Sequence, residues 1–321
     1  MVRPTHSLGS GARRAAVALL LGLALLAGSG GLTRAEAADS PTVYPTAAYA
    51  TAVGQDPSDV YYPVSTARRL PVALLLQGAN VDKSAYEGYA RTVAAFGFVV
   101  VVPDHTRTLY GVPGLWASSD EGLTAVAWAA VENGRADSPL AGRIDPGTLI
   151  LLGHSFGGAA GLGIVQGQCS PPFCFGLPVG AVKPAELKAA AFFGTNNVPP
   201  GGGTTPAVDN TGVPLALVQG SADGVATPAA AQATYDALTA GPKALVTVTG
   251  ANHYGVTDVQ NPPGALPDTS VQTLDQTESI RTSARWSALF LRASLGDPLA
   301  ASYVRQWGDA VDSAVTVQQT Y

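Results

Sequence analysis

Gly153-His154-Ser155-Phe156-Gly157-Gly158 sets a serine between two glycines, each two residues away. The apolar run Leu149-Ile150-Leu151-Leu152 leads directly into it and a helix-like run follows. A serine on a sharp strand-to-helix turn presents its hydroxyl for attack on an acyl carbon, and the flanking positions must lack side-chain bulk for so tight a turn to form. The turn also sets Ser155 at a helix N-terminus, where developing negative charge is favoured. In a chain with 37 glycines the alternative is a turn without chemistry. The strand–turn–helix context selects Ser155 as a nucleophile.

A serine nucleophile needs a general base and a group that orients the base. In the strand–turn–helix version of this site the partners follow in the order serine, carboxylate, histidine. Three histidines lie beyond the N-terminal leader: His105, His154 and His253. His105 precedes the serine, and His154 adjoins it with its side chain expected to point away. His253 remains, in Gly250-Ala251-Asn252-His253-Tyr254-Gly255 just after an apolar run. Between Ser155 and His253 lie Glu186, Asp209, Asp223 and Asp236. Glu186 precedes a predicted strand, Asp209 sits in a Pro/Gly-rich loop and Asp236 falls inside a predicted helix. Asp223 follows the apolar run 214–219 and is the expected acid; a turn aspartate is its alternative, which Gly224 also fits.

Backbone N–H donors for the oxyanion are expected from Phe156, the residue after the nucleophile, and from Ala79, in the loop after an early strand. Tyr254, Trp116, Tyr110 and Phe156 are candidates to wall a substrate pocket, whereas Tyr86 reads as a packing aromatic.

The elements that must position these groups are short apolar runs at 60–63, 71–77, 98–103, 149–153, 189–193, 214–219 and 244–248. Several are continuous, as in Val99-Val100-Val101-Val102, which fits strands buried on both faces. Helix-like stretches fall between them at 84–95, 120–131, 157–165 and 228–238, and further ones follow at 275–292 and 298–307. Thr227 is a plausible N-cap, with Pro228 at the first helical position. The alternation predicts an α/β fold: a mostly parallel central sheet with helices on both faces. The segment 197–212, rich in Pro, Gly and Thr, reads as a surface loop, and no large lid is expected.

Arg3, Arg13 and Arg14, the apolar stretch 15–27 and Ala35-Glu36-Ala37 predict a signal peptide over 1–37, with Sec and twin-arginine routes both open. Residues 38–57 read as a leader segment and 58–321 as one catalytic domain. Residues 1–37 hold four of the 18 basic and one of the 23 acidic residues, so the remainder carries 14 against 22, a net charge of −8. That balance disfavours nucleic acid as a partner, and no lasting membrane anchor is expected after cleavage. Cys169 and Cys174 are the only cysteines, and export predicts that they pair. No metal or cofactor is expected.

The chain resembles the branch of α/β-hydrolases that holds polyester hydrolases and cutinases, chlorophyllases, dienelactone hydrolases and platelet-activating-factor acetylhydrolases. The resemblance runs over roughly residues 58–256. It is carried by Val60-Tyr61-Tyr62-Pro63, Ala94-Ala95-Phe96-Gly97-Phe98-Val99-Val100, Arg143-Ile144-Asp145-Pro146 and the serine turn. It implies the α/β-hydrolase fold and cleavage of carboxylic esters. Polyester hydrolases usually carry Met after the nucleophile, an aromatic at the place of Ala79 and a tryptophan near 194–196, and chlorophyllases carry Arg at the place of Phe156. The natural ester therefore stays open. A secreted carboxylesterase is the leading expectation; a lipase or polyesterase on insoluble substrate, or a non-catalytic binding protein on the same scaffold, are the alternatives.

Overall fold

A computed structural model describes residues 41–65, 68–174 and 182–321. The expected signal peptide, 1–37, lies outside the described residues. Thr42–Tyr321 is one compact unit, built on a nine-stranded sheet in the order β1-β2-β4-β3-β7-β8-β9-β10-β11. The strands are β1 (Thr46–Val53), β2 (Asp56–Pro63), β3 (Leu70–Leu76), β4 (Val99–Pro103), β7 (Ile144–His154), β8 (Leu187–Phe193), β9 (Leu215–Gly220), β10 (Lys243–Val248) and β11 (Val315–Thr320). The six from β4 across to β10 run parallel; β1, β2 and β11 are antiparallel at the two edges. Strands β5 (Thr106–Leu109) and β6 (Val112–Leu115) form a separate hairpin.

Strand alternation divides the core in two. Ala73, Leu75, Val100, Val102, Ile150 and Leu152 point to one face, where they pack with helices α1 (Glu87–Ala95) and α5 (Gln276–Ser294). Val72, Leu74, Val99, Val101, Leu149 and Leu151 point to the other, against α2 (Glu121–Gly134), α3 (Phe156–Gln166) and α4 (Pro228–Ala237). Both faces are covered, so the central strands have no polar side, and β4 is buried at all five residues. Each fully buried Val or Leu contributes about 1.5–3 kcal/mol by removal from water. Thr227 caps α4 by accepting from the Ala230 N–H, with Pro228 in the first turn. Among the described residues no helix is long and apolar enough to cross a membrane.

The expected leader differs from what is observed. Residues 46–53 form β1, and β2 begins at Asp56; a two-residue turn, Gly54-Gln55, joins them with Val53 opposite Asp56. As an edge strand, β1 stays largely half-exposed, so its Ala/Thr/Tyr composition lacks the apolar signal of the inner strands. The same holds for β11, Val-Thr-Val-Gln-Gln-Thr, whose side chains alternate between cover and solvent. The stretch 84–95 is a 3₁₀ turn, Lys83–Tyr86, followed by α1. Residues 298–307 are α6 (Pro298–Ser302) continued by a π-helical turn, with α7 (Gly308–Val311) beyond.

Candidate active site

The serine turn follows from β7 and α3 meeting without a loop. Ser155 adopts φ 53° and ψ −120°, left-handed backbone that an L-residue holds only where its surroundings enforce it. The Ser155 N–H donates to the Phe193 carbonyl at 3.0 Å. Gly157 has no room for a side chain, because a Cβ there would collide with the Leu76 and Gln77 carbonyl oxygens. That contact seats the start of α3 against the end of β3, the strand whose following loop carries Ala79.

Three parallel strands bring the three candidate residues to one edge: β7 brings Ser155, β9 leads to Asp223 and β10 leads to His253. Ser155 Oγ lies 2.9 Å from His253 Nε2. His253 Nδ1 lies 2.9 and 3.1 Å from the two oxygens of Asp223. Asp223 and His253 are both buried. Asp223 also accepts the N–H groups of Val225 at 2.9 Å and Ala226 at 2.8 Å, and the Gln219 side-chain amide at 3.2 Å. With the carboxylate accepting at Nδ1, the proton of a neutral His253 sits there and leaves Nε2 bare toward the serine. Gly194, at the end of β8 with φ 57°, stands behind this pair; a Cβ there would lie 3.1 Å from both Asp223 Oδ2 and His253 Nδ1.

The backbone of His253 is held at both ends. Its N–H donates to Asp268 Oδ2 at 2.9 Å, and its carbonyl lies 2.9 Å from His154 Nε2. Asp268 also accepts the N–H of Gly224 at 3.2 Å and of Ser270 at 2.8 Å, so one carboxylate joins the His253 loop to the Asp223 loop. Burial raises the Asp268 carboxyl, but the His253, Ser270 and Gly224 N–H groups outweigh it and hold the group below its ordinary value. His154 points away from the serine hydroxyl, as expected, and continues to Tyr86. Tyr86 Oη is 2.9 Å from His154 Nδ1 and accepts the Gly78 N–H at 2.8 Å. Burial, then the nearby His253 charge, hold His154 well below the usual histidine range, and burial pushes the Tyr86 hydroxyl up.

A cavity of about 280 Å³ opens over Ser155. Phe156, Ala79 and Tyr254 border it, and Val81, Val225 and Leu266 give it an apolar wall. Neither the Phe156 N–H nor the Ala79 N–H meets a protein acceptor among the described residues. Phe156 is braced by Trp116 (ring centroids 5.5 Å apart) and by Phe173 (4.9 Å). Phe173 belongs to the loop closed by the Cys169–Cys174 disulfide, whose Cα atoms are 5.3 Å apart. Its carbonyl accepts the Ser119 N–H at 2.8 Å.

The expected pocket aromatics separate. Tyr254 is buried with its hydroxyl donated to the Leu266 carbonyl, and burial pushes that hydroxyl up to about 12. Trp116 stands behind Phe156 rather than on the cavity. Tyr110 corrects the expectation: it is 75% exposed at the tip of the β5–β6 hairpin, with φ 50°, and does not border the cavity. Tyr86, expected to serve packing alone, uses its hydroxyl in the chain just described. Asn80 (φ 55°) was not singled out by sequence. Its side chain accepts the Leu115 N–H at 3.0 Å and its N–H donates to the Leu115 carbonyl at 2.8 Å, which staples the hairpin to the Ala79 loop. Among the described residues no group of three His, Cys, Asp or Glu side chains could hold a metal ion.

Six parallel strands, helices on both faces and a strained serine at the exit of a central strand give the chain the α/β-hydrolase fold. A family model described as "PETase: PET hydrolase-like" matches residues 31–171, and over that stretch the chain is similar to the polyester-hydrolase branch. The matched stretch contains Ala79, Ser155 and Phe156 and ends before Asp223 and His253. No curated protein matches the chain.

Proposed function

We propose that this chain is an exported serine hydrolase of carboxylic esters that works through an acyl-enzyme on Ser155. The observation that carries the reading is the 2.9 Å approach of Ser155 Oγ to His253 Nε2, continued by the 2.9 Å approach of His253 Nδ1 to Asp223. In this reading Ser155 Oγ attacks the acyl carbon while His253 Nε2 takes its proton. The resulting oxyanion draws the N–H groups of Phe156 and Ala79. His253 then protonates the leaving alkoxide, the C–O bond breaks and the alcohol departs. Water repeats the sequence on the acyl-serine, with His253 again as base, and releases the acid. Asp223 keeps the imidazole in the reactive tautomer and stabilises its cation.

The cavity supports a substrate with a short or medium acyl chain. Among the described residues, the interval between Ser155 and Asp223 holds α3, the disulfide loop, β8 and the segment 197–212, which contains no helix. An apolar helical lid has no counterpart there. Export is supported by the composition of residues 1–37 and agrees with the paired cysteines. The similarity to PET hydrolase-like proteins favours a second reading, cleavage of an insoluble polyester at this same site.

The test is labelling by a fluorophosphonate together with hydrolysis of p-nitrophenyl butyrate. Wild type is expected to react with one equivalent of label at Ser155 and to turn over the ester. Ser155→Ala is expected to lose the label and all but about 1% of turnover while keeping its fold. A Ser155→Ala variant with substantial turnover would overturn the assignment.

A further inference from the structure

The residue before the nucleophile is a fully buried histidine with a partner at each ring nitrogen. A carbonyl oxygen only accepts, so His154 Nε2 carries the hydrogen that faces the His253 carbonyl at 2.9 Å. In the neutral ring Nδ1 is then a bare acceptor, and the Tyr86 hydroxyl donates to it at 2.9 Å. The Tyr86 oxygen in turn accepts the Gly78 N–H at 2.8 Å. The chain thus runs from the Gly78 N–H, one residue before Ala79, through two buried side chains, to the carbonyl of His253. Its ends are the loop that offers one oxyanion donor and the loop that offers the base.

We propose that His154 and Tyr86 form a positioning relay that sets the Ala79 N–H and the His253 imidazole in register with each other around Ser155. This rests on the serine-hydrolase reading above and adds two residues to it. Two observations go beyond packing. The hydrogen bonds are directional end to end, so a substitution that keeps volume but removes one polar atom breaks the chain. The His154 and His253 rings are also close, with centroids 4.8 Å apart. His253 becomes a cation during turnover, and a neutral neighbour at that distance does not oppose it. Burial of His154 and of Tyr86, which is fully enclosed, keeps water from substituting for either partner.

The relay acts on geometry when charge develops, so its loss falls on kcat and spares KM. Full-length Tyr86→Phe, His154→Leu and His154→Gln are compared with wild type for p-nitrophenyl butyrate kinetics and thermal midpoint. Tyr86→Phe deletes one oxygen; it is expected to stay folded and keep KM within about twofold while kcat falls about tenfold to a hundredfold. His154→Leu is expected to lose at least as much, and His154→Gln, whose amide can still donate to the His253 carbonyl, to regain most of that loss. The double variant Tyr86→Phe/His154→Leu is expected to cost no more than His154→Leu alone, since both break one chain. Wild-type kcat in folded Tyr86→Phe overturns the relay, as does a loss confined to KM or to the thermal midpoint; Tyr86→Phe decides the matter even where His154→Leu does not fold. Fluorophosphonate labelling separates the two levels. A wild type that labels at Ser155 beside an unaffected Tyr86→Phe defeats the relay alone, and a wild type that does not label defeats the serine-hydrolase reading and the relay with it.

Discussion

The ring of Phe156 packs against the ring of Phe173 with centroids 4.9 Å apart, so the residue that follows Ser155 leans on the loop closed by Cys169 and Cys174. The disulfide is therefore coupled to the cavity wall as well as to stability. Closing so short a loop stabilises by about 2 kcal/mol in the chain-entropy model. We predict that Cys169→Ser/Cys174→Ser lowers the thermal midpoint modestly, raises KM for butyrate esters and leaves kcat within a few-fold. Kinetics and melting of the double variant, with thiol counting of unreduced wild type, check this. An unchanged KM would uncouple the loop from the pocket.

Asp268 is the second prediction. Its carboxylate serves the N–H groups of His253, Gly224 and Ser270. Asp268→Ala leaves buried donors without acceptors and is expected to cost about 2–4 kcal/mol. Asp268→Asn keeps one acceptor and costs less. The folded carboxyl is held below its ordinary value, so its contribution is present above the ordinary carboxylate range and is lost as pH falls through the lowered value. Melting curves from neutral to strongly acid pH should show wild type and Asp268→Asn converging in acid. A constant gap would contradict the assignment.

Glu121 gives the opposite sign. It is buried at the start of α2, with one carboxylate oxygen accepting the Ser118 N–H at 2.5 Å and the other without a partner. Burial pushes its carboxyl up from 4.5 to about 7, with His105 and the Ser118 N–H opposing. Between these values the folded chain keeps a proton that the unfolded chain has released. Stability from this group is therefore complete below pH 4.5 and declines as pH rises toward 7, by roughly 3 kcal/mol at most. Glu121→Gln should raise the thermal midpoint at pH 8 and change it little at pH 5. An equal effect at both values would refute the argument.

The fourth prediction concerns the physical state of the substrate. With no helical lid in the described interval between Ser155 and Asp223, tributyrin hydrolysis should follow a saturating curve below its solubility limit, with no jump across it. A sharp rise only above the limit would reject the open-site reading in favour of a lipase.

The candidate residues Ser155, Asp223 and His253 were legible because the chain is poor in histidine and because each follows a strand whose apolar run is continuous. Inner strands such as β4 announce themselves since both faces are covered. Edge strands β1 and β11 do not, because half of each faces water and their sequences carry no apolar surplus. Asp268 escaped for a different reason: it follows His253 in the chain, outside the interval in which an orienting acid is sought. Tyr86 looked like any core aromatic, since nothing local to it marks a hydroxyl whose partners lie eight and 68 residues away. Its role exists only once β3 and β7 are neighbours.

The Asn80 staple has a practical consequence. The base of the β5–β6 hairpin is bonded in both directions to the Ala79 loop, while Tyr110 at its tip is 75% exposed. Loop tips of this kind accept inserted sequence when the backbone at their root is held. The hairpin is thus a grafting point: a short anchoring peptide spliced at Tyr110-Gly111 would be carried by the hairpin that Asn80 bonds to the Ala79 loop, bringing a chosen surface close to the cavity over Ser155.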